Sequence, residues 1–186
     1  MVMMVRAILI VMLTIAPALA QDRFQRGSVP WDGKAEPRGA PLLKAAMLDR
    51  HNAARRDYGV PALGWDDALV ASALVHARYL ALTDTFEHDE QDGAETPEGE
   101  NLYMGTRGAF SYAAMAQLWV DERRDFRSGR FPDVVKSGHW SKVGHYTQII
   151  WPTTQRVGCA MASNARDDFL VCRYLPAGNY FGTVLR

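Results

Sequence analysis

Cysteine is scarce in this sequence, and neither sign of charge is in excess. The 186 residues include two cysteines, 21 Lys plus Arg and 21 Asp plus Glu, so the formal net charge is zero. A neutral chain gives no electrostatic basis for binding nucleic acid or an anionic membrane surface. Two cysteines allow one disulfide. The sequence has no internal repeat, and its length suits a single domain with its own core.

A long apolar run occurs at the N-terminus and is not repeated later. Residues 1–20 combine a positive charge at Arg6, the apolar run AILIVMLTIAPA and the small residues ALA that end at Ala20. This order is typical of a signal peptide cleaved after Ala20. We therefore expect a secreted or periplasmic protein with no transmembrane segment in its mature chain. Residues 21–41 are predicted to form an extended arm, and residues 42–186 the folded domain.

Helical periodicity comes first in the domain and strand-like segments come last. Apolar spacing predicts helices over residues 42–58, 66–83 and 110–126. His51 lies on the apolar stripe of the first helix, and we interpret it as a core histidine satisfied by hydrogen bonds. The segments HYTQIIW (145–151), VGCAMAS (157–163) and FLVCRYL (169–175) predict an antiparallel meander of about three strands. This order of elements indicates an α+β fold rather than a doubly wound sheet.

The predicted turn between the last two strands fixes the relative position of the cysteines. If Ser163 and Asp168 flank the turn, the same register places Cys159 opposite Cys172. Facing positions on two strands have about the Cβ separation that a disulfide needs. In an oxidising compartment, such a pair is expected to be a disulfide rather than a metal site or a nucleophile. We therefore predict the bond Cys159–Cys172.

Four polar residues from separate segments are candidates for chemistry. Glu122 falls on the apolar row of the third predicted helix, where a carboxylate is costly unless it is paired. His145 begins the first predicted strand, and strand alternation places it on the face of Thr147, Ile149 and Trp151. The alternatives are a surface pair between Glu122 and a neighbouring arginine, and a strand-end histidine that faces water.

The other two candidates are His88, in the acidic loop TFEHDEQDG, and Glu100, in EGENLYMG. Two imidazoles can hold a divalent ion such as Zn²⁺, and two carboxylates can orient those ligands or polarise a bound water. Sequence spacing does not show whether these four residues meet.

Several motifs resemble the CAP superfamily, which comprises the cysteine-rich secretory proteins, antigen 5 and the plant pathogenesis-related 1 proteins and is also called the SCP domain. GHYTQIIW (144–151) and LVCRYLPAGNYFG (170–182) match its two signatures. GENLY (99–103) and the early pair HN (51–52) are further family features. The resemblance runs from about residue 42 to residue 182. The single possible disulfide and the plain signal peptide of this chain look more like those of a bacterial secreted member.

The resemblance implies an α-β-α sandwich with an open cleft that contains two histidines and two acidic residues. Carried over by motif, these are His88, Glu100, Glu122 and His145, and the two histidines are the metal ligands in relatives that bind zinc. The chain ends at Arg186, without the cysteine-rich extension of the venom and sperm relatives. Ion-channel blocking that depends on that extension is therefore not carried over.

Three functions remain open. The first is a non-enzymatic module that binds a lipid, a sterol or another extracellular ligand, with 102–112 and 127–140 as candidate groove segments, although their apolar residues could equally belong to the core. The second is a structural tetrad combined with an extracellular or envelope protein partner. The third is a metal-dependent hydrolase or protease that uses a tetrad carboxylate as its general base. Catalytic zinc usually has three protein ligands, and only two histidines are offered here, so we rank the hydrolase last.

Overall fold

The computed structural model describes residues 33–91 and 94–186. The predicted signal peptide, with its cleavage after Ala20, lies outside the described residues, as does most of the predicted arm. The described end of the arm contacts the domain: the amide of Glu36 donates to the carbonyl of Gly108. Within the described residues, no helix is long and apolar enough to cross a membrane.

Among the described residues, four helices and six strands are connected by loops and two short 3₁₀ helices. In chain order they are α1 (Ala40–Tyr58), β1 (Gly64–Trp65), α2 (Asp67–Thr83), β2 (Gly99–Thr106), α3 (Tyr112–Asp121), a 3₁₀ helix (Glu122–Arg124), β3 (Gly129–Arg130), a 3₁₀ helix (Trp140–Val143), α4 (Gly144–Ile149), β4 (Arg156–Ser163), β5 (Asp167–Leu175) and β6 (Val184–Leu185).

Local sequence accounts for the ends of the long helices. Asp66 caps α2 by accepting hydrogen bonds from the amides of Ala68 and Leu69, and Ser111 caps α3 in the same way. Gly59 ends α1 in the left-handed conformation, where its amide reaches back to the carbonyls of the last turn. These signals explain why the predicted helix boundaries lie close to the observed ones for α1 and α2.

The main sheet has four strands in the order β1-β4-β5-β2, and β3 and β6 form a separate small ribbon. Strands β4 and β5 are antiparallel, β2 runs antiparallel to β5, and β1 adds a short parallel edge. The predicted register is confirmed, because Ser163 faces Asp168 and Cys159 faces Cys172. The disulfide Cys159–Cys172 is present as predicted.

The sheet lies between two helical layers. On one face, Ala73, Ala77 and Leu80 of α2 pack against apolar side chains of β2, β4 and β5. On the other face, residues from α1, α3 and α4 form a larger core around the disulfide. A third cluster joins Phe131, which lies within residues 127–140, to Trp151. The α+β fold with an α-β-α sandwich is therefore confirmed.

One predicted strand is wrong. Residues 144–149 form the helix α4, and residues 140–143 form a 3₁₀ helix before it. The third long strand of the sheet is β2, which the strand pattern had not predicted. The segment of α4 is buried at Tyr146, Thr147, Gln148 and Ile149, so apolar alternation and helical spacing both fit it. Periodicity cannot separate a short buried helix from a buried strand.

Candidate cleft with two histidine–carboxylate pairs

A cleft of about 450 Å³ opens between the loop before β2, the start of α4 and the loop after β5. His88, Glu100 and His145 line it, so three of the four predicted site residues reach the same cavity. Glu122 lies next to His145 but is not among the lining residues. The cleft is otherwise lined by Asp89, Gln91, Pro97, Glu98, Gly99, Asn101, Trp140, Ser141, Gly144, Gln148, Ala177, Gly178, Asn179 and Tyr180.

The first histidine–carboxylate pair is His145 with Glu122. The imidazole Nδ1 of His145 lies 2.6 Å from Oε1 of Glu122. The other oxygen, Oε2, accepts hydrogen bonds from the backbone amides of His145 and Tyr146, each at 3.0 Å. These are amides of the first turn of α4, where helical N–H groups lack partners within the helix. Glu122 therefore caps α4 and orients its histidine at the same time.

The indole of Trp119 completes the support of this histidine. Its ring stacks on the His145 imidazole with centroids 5.8 Å apart and an interplanar angle of 22°. The indole N–H donates to the carbonyl of Leu102 at 3.1 Å, so the ring is itself fixed to β2. The imidazole is thus held by the carboxylate at its edge and by the indole on its face.

The second pair is His88 with Glu100. Nδ1 of His88 lies 2.6 Å from Oε1 of Glu100, and the amide of Asp89 donates to the same oxygen at 3.3 Å. Glu100 lies near the start of β2 and is 5% exposed in its side chain, whereas His88 is 62% exposed in an irregular segment. The rigid strand therefore supplies the carboxylate, and the loop supplies the imidazole.

The two pairs share one hydrogen-bonding pattern. A carboxylate only accepts hydrogen bonds, so in the neutral form of each imidazole Nδ1 carries the hydrogen and Nε2 keeps its lone pair. Within the described residues, no group hydrogen-bonds to Nε2 of His88 or His145. Metal-binding histidines commonly donate their other ring N–H to a carboxylate in this way. The chemistry of the two Nε2 donors therefore suits a divalent cation.

Protein side chains alone do not complete the coordination of a metal ion in the described residues. Across residues 33–91 and 94–186, no set of three or more His, Cys, Asp or Glu side chains is arranged to hold a metal ion. A cation bound by the two histidines would complete its coordination with water or with a ligand in the cleft.

Arg173 is a site residue that sequence reasoning missed. It is 1% exposed, and its NH2 lies 2.9 Å from Oε2 of Glu100 and 2.8 Å from Oδ2 of Asp89. The contact with Glu100 is an ion pair that lacks hydrogen-bond geometry, since Oε2 has no hydrogen-bond partner. Burial would raise the pKa of Asp89, but hydrogen bonds from Arg173 and from the Gln91 amide lower it below its ordinary value. The available signal was a cation within the apolar strand FLVCRYL.

Gln148 is a second missed residue, and it fixes one wall of the cleft. Its Oε1 accepts a hydrogen bond from the amide of Gly178 at 2.9 Å. A Cβ on Gly99 would lie 2.3 Å from that oxygen, and a Cβ on Gly178 would lie 2.9 Å from it. The amide therefore fits between two glycines, which explains why GENLY and PAGN carry glycine at these positions.

His51 is the core histidine that the sequence predicts, and its bonds reach the cleft. Its Nδ1 donates to the carbonyl of Met47 at 2.8 Å, and its Nε2 accepts from the hydroxyl of Tyr174 at 2.7 Å. That hydroxyl accepts from Nδ2 of Asn101, which also lies 3.2 Å from the carbonyl of His145. Burial lowers the pKa of His51 to about 4, so the ring is neutral at physiological pH.

The apolar segments considered as a ligand groove belong mainly to the core. Leu102, Tyr103 and Tyr112 are buried, as are Phe131 and Val134. Some exposed aromatic surface lies instead beside the cleft. Trp140, Tyr180 and Phe181 are neighbours there, and Phe181 is 72% exposed.

Comparison with known proteins agrees with this fold and these motifs. A model of the CAP family, described as the cysteine-rich secretory protein family, matches residues 48–174. Pathogenesis-related protein 1A of Nicotiana tabacum is 36% identical over 136 residues, which cover 73% of this chain and 76% of that protein. Venom allergen 5 2 of Polybia paulista is 32% identical over 154 residues, which cover 79% of this chain and 67% of that protein.

A solved structure supports the same fold at lower sequence identity. The crystal structure of NaASP2 with Zn²⁺ superposes with a TM-score of 0.66 at 21% identity, and it covers 83% of this chain and 87% of that chain. An α-β-α sandwich with these two signatures defines the CAP class of proteins. The chain belongs to the CAP (cysteine-rich secretory protein) family.

Proposed function

We propose that this protein is a secreted, non-enzymatic binding module whose cleft takes a divalent metal ion, with Zn²⁺ the best match. The observation that carries the proposal is the repeated pairing of an imidazole Nδ1 with a carboxylate at 2.6 Å, once at His88 and once at His145. Each pair leaves one Nε2 lone pair, and imidazole nitrogen is a preferred ligand of Zn²⁺.

The hydrogen-bond partners of the two carboxylates favour a binding function over hydrolysis. Glu100 accepts from an imidazole and faces Arg173, and Glu122 accepts from an imidazole and two backbone amides. A general base must take a proton from a water, and here each carboxylate already accepts a hydrogen bond from an imidazole. Both cysteines are joined in the disulfide and offer no thiolate nucleophile.

Zinc titration tests this function. We expect the wild-type protein to bind Zn²⁺, and a His88→Ala/His145→Ala variant to bind it at least tenfold more weakly. His139→Ala is the matched control, because His139 is an exposed histidine that bonds to Ser141 and does not line the cleft. Calorimetry or competition with a chromophoric chelator gives the affinities. Equal affinity in the wild type and the double variant would contradict the proposal.

A small hydrophobic ligand such as a lipid or sterol is a second candidate. The observation that favours it is the pair of exposed aromatic rings Tyr180 and Phe181, which lie with the partly buried Trp140 beside the cleft. Clustered exposed aromatic rings are common at binding sites. We expect Tyr180→Ala/Phe181→Ala to reduce binding of a fluorescent sterol without changing zinc affinity. Sterol binding that is absent from the wild type, or unchanged in the variant, would rule out this candidate.

A further inference from the structure

Arg173 is a buried cation in the strand opposite the cleft carboxylate. Strand pairing places it directly across from Glu100, so the two side chains share one face of the sheet. That face packs on α2, where water is largely excluded and Arg173 is 1% exposed. A buried charge is tolerated when it is paired, and the guanidinium pairs here with residues that surround His88.

The guanidinium holds two residues that lie on either side of the imidazole contact. NH2 lies 2.9 Å from Oε2 of Glu100, whose other oxygen binds His88, and 2.8 Å from Oδ2 of Asp89, the next residue after His88. The amide of Asp89 returns to Glu100 at 3.3 Å. Arg173, Asp89 and Glu100 therefore form a closed set of contacts around the backbone that carries His88.

Few other contacts fix His88. Its segment, residues 84–98, has no helix or strand among the described residues, and the His88 side chain is 62% exposed. Its ring is not stacked on any aromatic ring of the described residues, whereas the His145 ring lies against Trp119. The orientation of His88 therefore depends on Glu100 and on the position of Asp89.

Charge balance at this end of the sheet depends on the same arginine. Asp89, Glu98 and Glu100 all lie within 3.9 Å of its guanidinium. His76 lies 3.7 Å from Glu100, but its Nε2 already donates to the carbonyl of Glu87. Without Arg173, the buried carboxylate of Glu100 would lose its cation. Its free energy would then be lower if the side chain turned toward water and away from His88.

We propose that Arg173 is a positioning residue for His88: it fixes Glu100 and Asp89 together, so that Glu100 holds Nδ1 and Nε2 is presented to the cleft. The presentation of Nε2 to a metal ion rests on the proposed function, but the positioning of the ring does not.

The imidazole nitrogens report this positioning directly. In the wild-type protein without metal, ¹⁵N spectra of His88 are expected to show the tautomer with hydrogen on Nδ1, as held by Glu100. In Arg173→Met, that signature is expected to be replaced by a mixture of tautomers, while His51, held separately by Met47, keeps its own. A folded Arg173→Met protein with an unchanged His88 spectrum overturns the proposal.

Arg38 supplies a matched control for lost stability. It pairs at 2.8 Å with Asp168, whose side chain is 2% exposed, at the opposite end of β5 from the cleft. Arg38→Met therefore also removes the cation from a buried carboxylate. We expect it to lower the melting temperature and leave the His88 spectrum unchanged. A His88 spectrum that changes equally in both variants would show a general loss of stability and overturn the proposal.

A conservative variant covers the case in which Arg173→Met does not fold. Arg173→Lys keeps the positive charge, but its ammonium ends one bond short of the NH2 nitrogen that contacts both Glu100 and Asp89, so it is not expected to hold them together. We expect it to fold and still to lose the Nδ1–H signature of His88. A wild-type His88 spectrum in Arg173→Lys overturns the proposal.

Titration with Zn²⁺ alone separates this inference from the proposed function. We expect at least tenfold weaker zinc binding in Arg173→Lys, as is typical when the partner of a metal-binding histidine is disturbed. If the wild type binds no zinc but the two Arg173 variants change the His88 spectrum, the metal function fails and the positioning role holds. If zinc binds and neither the spectrum nor the affinity changes, the positioning role fails.

Discussion

The carboxylate of Glu122 contacts both the side chain and the backbone amide of His145. Oε1 lies 2.6 Å from Nδ1 of the imidazole, and Oε2 accepts the His145 amide at 3.0 Å. The same contact therefore decides that the segment starts as a helix and decides which ring nitrogen is left for a ligand. A carboxylate that lies 23 residues earlier in the chain performs the task that an N-cap side chain usually performs locally.

Removal of this carboxylate is expected to destabilise α4 and the cleft together. Glu122→Ala leaves two helix amides and one imidazole N–H without their acceptor, and we expect the free energy of unfolding to fall by about 2–4 kcal/mol. Urea unfolding measures the loss. Asp125→Ala is the control, because Asp125 forms an exposed pair with Arg124 and should cost less than about 1 kcal/mol. Similar losses for both variants would show that the cap has little effect.

Acid should weaken the fold through His51. Burial lowers the pKa of His51 from 6.5 to about 4. Between these pH values His51 is therefore protonated in the unfolded chain and neutral in the native protein. This contribution is complete above pH 6.5 and is lost as the pH falls to 4, by about 3 kcal/mol in total. Urea unfolding at several pH values measures it. In His51→Gln this pH-dependent loss should disappear, although stability at neutral pH is lower.

The His51 prediction has a structural reason and a clear contrary result. Protonation would place a hydrogen on Nε2, where Tyr174 donates its hydroxyl hydrogen, and that hydroxyl already accepts from Asn101. The exposed His139 is the control, since His139→Gln should keep the wild-type pH dependence. An equal slope between pH 4 and 6.5 in the wild type and His51→Gln would refute the assignment.

A methyl group at Gly99 is expected to displace Gln148. The added Cβ would lie 2.3 Å from Oε1 of Gln148, so the amide must move and its bond to Gly178 is lost. We expect Gly99→Ala to cost about 1–3 kcal/mol in the free energy of unfolding, measured by thermal or urea denaturation. Gly64→Ala is the control, because its Cβ would lie 3.9 Å from the carbonyl of Gln155. Equal stability of the two variants would contradict this account of the wall.

The disulfide is expected to contribute stability that reducing agents remove. Cys172 lies 13 positions after Cys159, and closing a loop of that size restricts the unfolded chain by about 3 kcal/mol. Added reductant should lower the melting temperature of the wild type and leave Cys159→Ala/Cys172→Ala unaffected. A wild type whose melting temperature is the same with and without reductant would contradict the prediction.

The long helices and the hairpin were predictable because their signals are local. The apolar stripes of α1 and α2 and the turn between β4 and β5 lie within short stretches of sequence, and the strand register then aligned Cys159 with Cys172. The cap of α4 could not be predicted in this way, because its acceptor, Glu122, belongs to another element. Strand β2 was missed because its apolar run, residues 102–104, is short and is flanked by glycines and by Glu100.

The candidate site divides in the same way. Sequence motifs identified His88, Glu100, Glu122 and His145 as a group, because the family match assigns each of them by its position in a short local stretch of sequence. Which histidine pairs with which carboxylate was not readable, and Arg173 was absent from the group. The reason is that Arg173 meets Glu100 only through the pairing of β2 with β5, and meets Asp89 only through the fold of a loop.

The sequence by itself therefore determined the family, the α+β class and the disulfide, and it singled out four candidate polar residues, because each depends on residue type and local spacing. Tertiary structure alone decided that GHYTQI is a helix, that two carboxylates hold the two histidines by Nδ1, and that a buried arginine supports one of them. Those features arise from contacts between distant segments, where burial and the need to pair every buried charge select the partners.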